Sequence, residues 1–107
     1  MTKRQKKIAG LIKKLAAEFL ERIREKNLLI TVTGSTVSPD LKRATILITA
    51  LPEEKEEAAL NLIRENIKEL QQFLGKKMHT KFLPKMEVQI DKGEKTRQLI
   101  EKLSEYS

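Results

Sequence analysis

Residues 52–75 read PEEKEEAALNLIRENIKELQQFLG, and this stretch decides the fold. Leu60, Ile63, Ile67, Leu70 and Leu74 recur at steps of three and four, which puts all five on one face of a helix with about 3.6 residues per turn. That face must be buried. Ala58, Ala59, Leu62 and Phe73 widen the apolar stripe enough to cover a small sheet rather than one partner helix. Pro52 suits a first helical position, where its missing N–H costs nothing, and Glu53, Glu54, Glu56 and Glu57 carry the charge that the dipole favours there. Gly75 supplies a stop, with Lys76 and Lys77 at the negative end. The stretch predicts one helix from Pro52 to Gly75.

The chain has 107 residues, enough for one domain that buries roughly two thirds of its unfolded surface. Cysteine is absent, so disulfides and thiolate metal sites are excluded. No run of about 18 apolar residues exists and the first residues lack the apolar stretch of a signal peptide, so a soluble, cytoplasmic protein is expected. The net charge of +7 is unevenly spread. Met1 to Asn27 holds nine Lys or Arg against three acids, a balance of +6, and Asn66 to Met86 five against one, a balance of +4. Pro52 to Glu65 holds two against five, a balance of −3. Two basic segments around an acidic helix start are the pattern of a polyanion-binding face.

Upstream, Ile8, Leu11, Ile12, Leu15, Phe19 and Ile23 stripe a second amphipathic helix, which follows the basic lead Lys3, Arg4, Lys6 and Lys7. Core packing, rather than a membrane surface, is its expected use. From Leu28 the texture turns β-branched, and Leu29 to Val32 and Ala44 to Thr49 read as strands. Gly34 marks a bulge or kink in the first, since Val37 resumes the apolar pattern. Ser38, Pro39 and Asp40 make a hairpin turn: Pro39 fixes φ, and the other two can bond back to the backbone. A third strand is expected from Met86 to Ile90, a turn at Asp91 to Gly93, and a short closing helix around Leu99, Ile100 and Leu103.

That order, with the residues at its joints, resembles the ribosome-binding factor A family of bacterial small-subunit assembly factors. The resemblance rests on Val37-Ser38-Pro39-Asp40-Leu41 followed by Ala44-x-Ile46-x-Ile48, on Leu74-Gly75-Lys76, and on Pro84-x-Met86-x-Val88-x-x-Asp91. The family's usual pattern is a Ser-x-Asp-Leu turn, a strand beginning Ala-x-Val, a Leu-Gly-Lys helix end, and Pro-Glu-Leu-x-Phe with an Asp three residues on. The match runs from about Lys3 to Leu103. It implies an α+β, KH-like fold of the second topological type: helix, strand, strand, helix, strand and a short C-terminal helix, with a three-stranded sheet covered on one face by helices. It also implies that residues 1–107 form a single ribosome-binding domain, which binds the small ribosomal subunit and its rRNA during late maturation and rRNA processing. Lys85 stands where the family usually has Glu, Val88 where it has Phe, and Lys81 where Arg is common. An Ala-x-Gly interruption usually breaks the long helix, and Asn66, Ile67 and Lys68 occupy those positions here.

The residues also constrain the binding chemistry directly. Gly10, Gly34, Gly75 and Gly93 never give the GxxG spacing with which ordinary KH domains grip single strands. Aromatic platforms are few: Phe19 and Phe73 sit on apolar faces, leaving Phe82 and Tyr106. What remains is phosphate contact by Lys and Arg, which positions RNA but reads little sequence. Lys68, Lys76, Lys77, Lys81 and Lys85 are expected to form one surface, Lys3, Arg4, Lys6 and Lys7 a second, and Lys42 and Arg43 a third. For each the plain alternative is a solvated surface cation. One histidine, His79, and no cysteine argue against metal or nucleophilic catalysis, and no phosphate-cradling glycine loop follows a strand. No enzyme activity, cofactor, membrane or small-molecule substrate is expected, and the chain is expected to be a monomer. A general KH-like RNA-binding protein, or a protein-interaction module docking a basic partner on the acidic helix start, are the competing readings.

Overall fold

The computed structural model describes residues 1–80 and 82–93; Lys81, Tyr106 and the expected closing helix around Leu99, Ile100 and Leu103 lie outside the described residues. Helix α1 runs Lys3–Leu20 and ends in a 3-10 turn, Glu21–Ile23. Strands β1 (Leu29–Val37) and β2 (Arg43–Leu51) form the expected hairpin. A 3-10 turn (Glu53–Lys55), helices α2 (Glu56–Glu65) and α3 (Ile67–Met78), and strand β3 (Lys85–Ile90) follow. The sheet order is β1-β2-β3, with β1 antiparallel and β3 parallel to the central β2.

One face of this sheet is buried. Ala44, Ile46, Ile48 and Ala50 of β2 and Met86 and Val88 of β3 point into a core completed by Ile12, Leu15, Ala16 and Phe19 of α1 and by Ala59, Ile63, Leu70 and Leu74. The alternation in β3, with buried Met86 and Val88 each followed by an exposed residue, Glu87 and Gln89, is the expected period of two. The kink at Gly34 is a β-bulge: the register shifts between Val32 and Gly34, making Thr33 the extra residue. Its hydroxyl reaches the Leu47 carbonyl (3.3 Å) and the Asp91 carboxylate (2.5 Å), which tie the bulge to the end of β3.

The start of α1 is fixed by a device that periodicity alone does not reveal. Thr2 Oγ1 accepts from the Gln5 N–H (3.2 Å) while Gln5 Oε1 accepts from the Thr2 N–H (2.8 Å), a complete capping box. Gln5 Nε2 then donates to the Val37 carbonyl at 2.8 Å. One buried side chain therefore caps the helix and fastens its first turn to the last residue of β1.

The single helix expected from Pro52 to Gly75 is corrected in three places. Pro52 is not the first helical residue; it is extended (φ −68°, ψ 155°) and precedes the 3-10 turn. The helix is broken at Asn66, whose φ −107° and ψ 11° lie in the bridge region open to non-glycine residues. There the Asn66 N–H turns to the Ile63 carbonyl (3.0 Å), and Asn66 Nδ2 takes the Leu62 carbonyl instead (2.8 Å). The side chain replaces the helical bond that its own backbone gave up. Gly75 does not stop the helix, which continues to Met78 and ends at His79, left-handed at φ 51° and ψ 34°.

Two outcomes test these assignments. Asn66→Asp keeps the shape but leaves the Leu62 carbonyl without a donor, so it is expected to destabilise by about 1–3 kcal/mol. An unchanged urea midpoint would sink this role. A Cβ at Gly75 would meet no atom within 4 Å. Gly75→Ala is therefore expected to stabilise by about 0.5–1 kcal/mol in the same assay, since a mid-helix glycine pays extra chain entropy.

Candidate nucleic-acid interface

Helix α1 runs antiparallel to β1, because Gln5 holds its start beside Val37. The hairpin tip, the start of α1, the end of α3 and the start of β3 consequently meet at one end of the molecule. The hairpin tip is rigidly made. Asp40 Oδ1 accepts from Ser38 Oγ (2.6 Å) and from the Lys42 N–H (3.0 Å), and Ser38 Oγ accepts from the Arg43 N–H (3.1 Å). The Leu41 N–H closes the turn on the Ser38 carbonyl at 2.9 Å, with Leu41 itself at φ 61°. Leucine rarely accepts that conformation, and here it carries the side chain inward beneath the tip.

A groove of about 830 Å³ opens at this end. Its floor is apolar, from Ile8 and Leu11 of α1, Leu41 of the turn, and Met78, Leu83 and Pro84. Arg4, Lys7 and Lys42 stand on its rim, with Asp40, Thr80 and Phe82. The expected second and third basic groups thus converge in part. Lys3 and Lys6 are exposed on the same first turns of α1 but do not line the groove; Lys6 lies about 200° round the helix from Arg4. Arg43 pairs in register with Lys85, and both are exposed on the sheet face turned from the helices. The Lys85 N–H donates to the Lys42 carbonyl at 2.9 Å, so these three cations share one corner. Like charges on neighbouring strands repel, and a bound anion relieves that cost.

The group expected to follow the long helix is dispersed. Lys76 and Lys77 are exposed in the last turn of α3. Lys77 points back along the helix: its Nζ lies 5.8 Å from the Phe73 ring centre, and Arg22 Cζ lies 4.6 Å from the same ring. Phe73 also meets Phe19 at 5.7 Å between centres. Arg22 is therefore a partner of Lys77 that spacing along the chain could not supply, since the two helices meet only in the folded state. Lys68 sits at the opposite end of α3, about 13 Å along the axis and half a turn from Lys77. The ion pairs Arg24–Glu21 (2.9 Å) and Arg64–Glu57 (3.8 Å) use none of these candidate cations.

The family model for ribosome-binding factor A matches residues 4–104. The chain belongs to the ribosome-binding factor A family. A relative named ribosome-binding factor A, from Ruegeria sp., is 36% identical over 84% of this chain and 72% of its own length. The crystal structure of ribosome-binding factor A from Thermus thermophilus superposes with a TM-score of 0.69 at 24% identity, over 78% of this chain and 91% of that one. A Thermus ribosome-binding factor A fitted into a cryo-electron-microscopy map of its complex with the 30S subunit gives 0.68 at 24% identity, over 76% and 88%. The α+β, KH-like fold that the sequence resemblance implied is the fold found. In this member Asn66 makes the helix break that the family usually builds on Ala-x-Gly.

Asp40 gives the interface a measurable handle. The Ser38 hydroxyl, then the Lys42 N–H, hold its carboxyl below the ordinary value of 3.8. A lowered carboxyl favours the folded turn fully above 3.8, and that contribution fades as pH falls through the lower folded-state value. NMR titration of the Asp40 carboxyl is expected to give a midpoint below 3.8, moving up towards it in Ser38→Ala. The same midpoint in both proteins would remove Ser38 as the cause.

Proposed function

We propose that this single domain, residues 1–107, is a ribosome-binding factor that docks on structured rRNA of the small ribosomal subunit and serves its late maturation and rRNA processing. The observation that carries the reading is the convergence of Arg4, Lys7, Lys42, Arg43 and Lys85 at one end of the molecule. The acidic run Glu53 to Glu57 follows the far end of β2, nine residues away along the strand. A strand of that length spans about 27–30 Å, so the charge is separated across the domain and orients approach to a polyanion. The Thermus relative fitted into a 30S complex supports the same partner. The chain acts as a cytoplasmic monomer, without catalysis, cofactor, membrane or small-molecule substrate. Lys3, Lys6, Lys76 and Lys77 extend the contact from that centre, whereas Lys68 lies at the other end of α3, apart from it.

Co-sedimentation with small subunits, large subunits and joined ribosomes across a salt series tests this. Selective retention on small subunits is expected, and equal binding to all three that disappears together with salt would leave only a basic domain that adheres to RNA. Two double reversals, Arg4→Glu with Lys42→Glu and Lys76→Glu with Lys77→Glu, are each expected to weaken retention. Every phosphate that is no longer neutralised flattens the plot of log affinity against log salt by about 0.7–0.9. A folded variant with the parent slope would exclude its two residues from the RNA interface.

A further inference from the structure

A lysine surface for phosphates requires neither a cavity nor an aromatic ring, yet the basic end of this molecule has both. Phe82 is 80% exposed, more than Leu11 (39%), Leu29 (55%), Leu51 (57%) or Met1 (57%). The Thr80 hydroxyl donates to the Phe82 carbonyl at 3.1 Å. Phe82 stands at the mouth of the groove, whose 830 Å³ falls among clefts that hold organic ligands, about 300–1,000 Å³, and exceeds what a phosphate contact needs. An exposed phenyl ring lining the same groove as Arg4, Lys7 and Lys42 is a combination that binds unpaired nucleotides, the ring stacking on a base and the cations taking its flanking phosphates.

We propose that this groove receives one extruded, unpaired nucleotide of the bound RNA, its base against Phe82 over Leu11 and Leu41 and its flanking phosphates on Arg4, Lys7 and Lys42. The inference rests on the RNA-binding reading above and adds to it. A surface made only of lysines grips any helix, whereas this groove distinguishes RNA with a splayed base from RNA that is fully paired. Asp40 on the same rim stays ionised, but it is outnumbered there by Arg4, Lys7 and Lys42, and Ser38 Oγ and the Lys42 N–H engage one of its oxygens. The groove lies at the opposite end of α3 from the break at Asn66, so it is separate from the turn between the two crossover helices. An acidic, apolar peptide meets the same rim charge, but the exposed ring favours a flat partner over aliphatic side chains.

The chain has no tryptophan, so Phe82→Trp creates a single fluorophore at the site. The full chain carrying it is titrated with an RNA hairpin holding one bulged purine, the same hairpin with an abasic bulge, a fully paired hairpin, heparin, and an acidic apolar peptide. Quenching by the purine bulge alone is expected. Phe82→Ala is expected to bind that hairpin about tenfold more weakly, as loss of one stacked base implies, with the paired hairpin unaffected and the salt slope retained. Equal quenching by the purine and abasic bulges, or unchanged affinity in Phe82→Ala, overturns the proposal, and quenching by the peptide alone assigns the groove to a protein. If Phe82→Ala is neutral while small-subunit binding persists, only this inference falls. Failure of every RNA to bind overturns the functional reading as well.

Discussion

The structure depends on keeping one face of β2 dry while a parallel strand is laid beside it. A parallel neighbour cannot be reached by a hairpin: the chain leaving Leu51 must return the length of β2 before Lys85 can pair with Arg43. One straight helix from Glu53 to Met78 would be about 39 Å long, against a return of about 27–30 Å along the strand. It would overshoot the sheet by roughly 10 Å. The break at Asn66 removes that excess while keeping Ala59, Leu60, Ile63, Leu70 and Leu74 buried. An amide side chain accomplishes this, because it can take the Leu62 carbonyl that the interrupted ladder releases.

From that crossover follows the gathering of charge. Placing β3 parallel to β2 brings Lys85 to the hairpin tip, and the end of α3 brings Met78 and Thr80 to the start of α1. Gln5 completes the arrangement by holding α1 against β1, so that Arg4 and Lys7 face Lys42. Four segments far apart in sequence contribute to one end. Exposed cations held together in this way repel one another, a cost that binding a polyanion recovers.

Much of this fold is legible in the sequence, for identifiable reasons. The stripe from Leu60 to Leu74 reads through the break because Asn66 costs almost no change of phase, so periodicity finds both helices but counts them as one. The hairpin, the bulge beside Gly34 and the alternation of β3 depend on neighbouring residues and are all readable. Gly75 misleads because a glycine followed by two lysines has the composition of a helix end, while the left-handed residue is His79. The site is less legible. Composition identifies the cations, but which of them meet is set by register and by the antiparallel course of α1, and neither is encoded locally. Lys68 therefore separates from Lys77, and Arg22 joins Lys77 through Phe73. The groove beneath Phe82 is invisible in the sequence for the same reason, since three segments build it.

The cations and the groove differ in what they can contribute. Lys3, Lys6 and Lys76 are exposed on helix surfaces and carry long, flexible stems, so on the reading proposed above they add salt-sensitive affinity without fixing the RNA in one pose. The hairpin tip is different: the mutual bonds of Ser38, Asp40, Lys42 and Arg43 set its backbone before any partner arrives. Leu41 is held by that turn rather than by a helix, so its position does not depend on the RNA. On the same reading orientation comes from the tip and the groove, while the outlying lysines supply attraction. On that reading, tight binding requires an RNA surface that meets both.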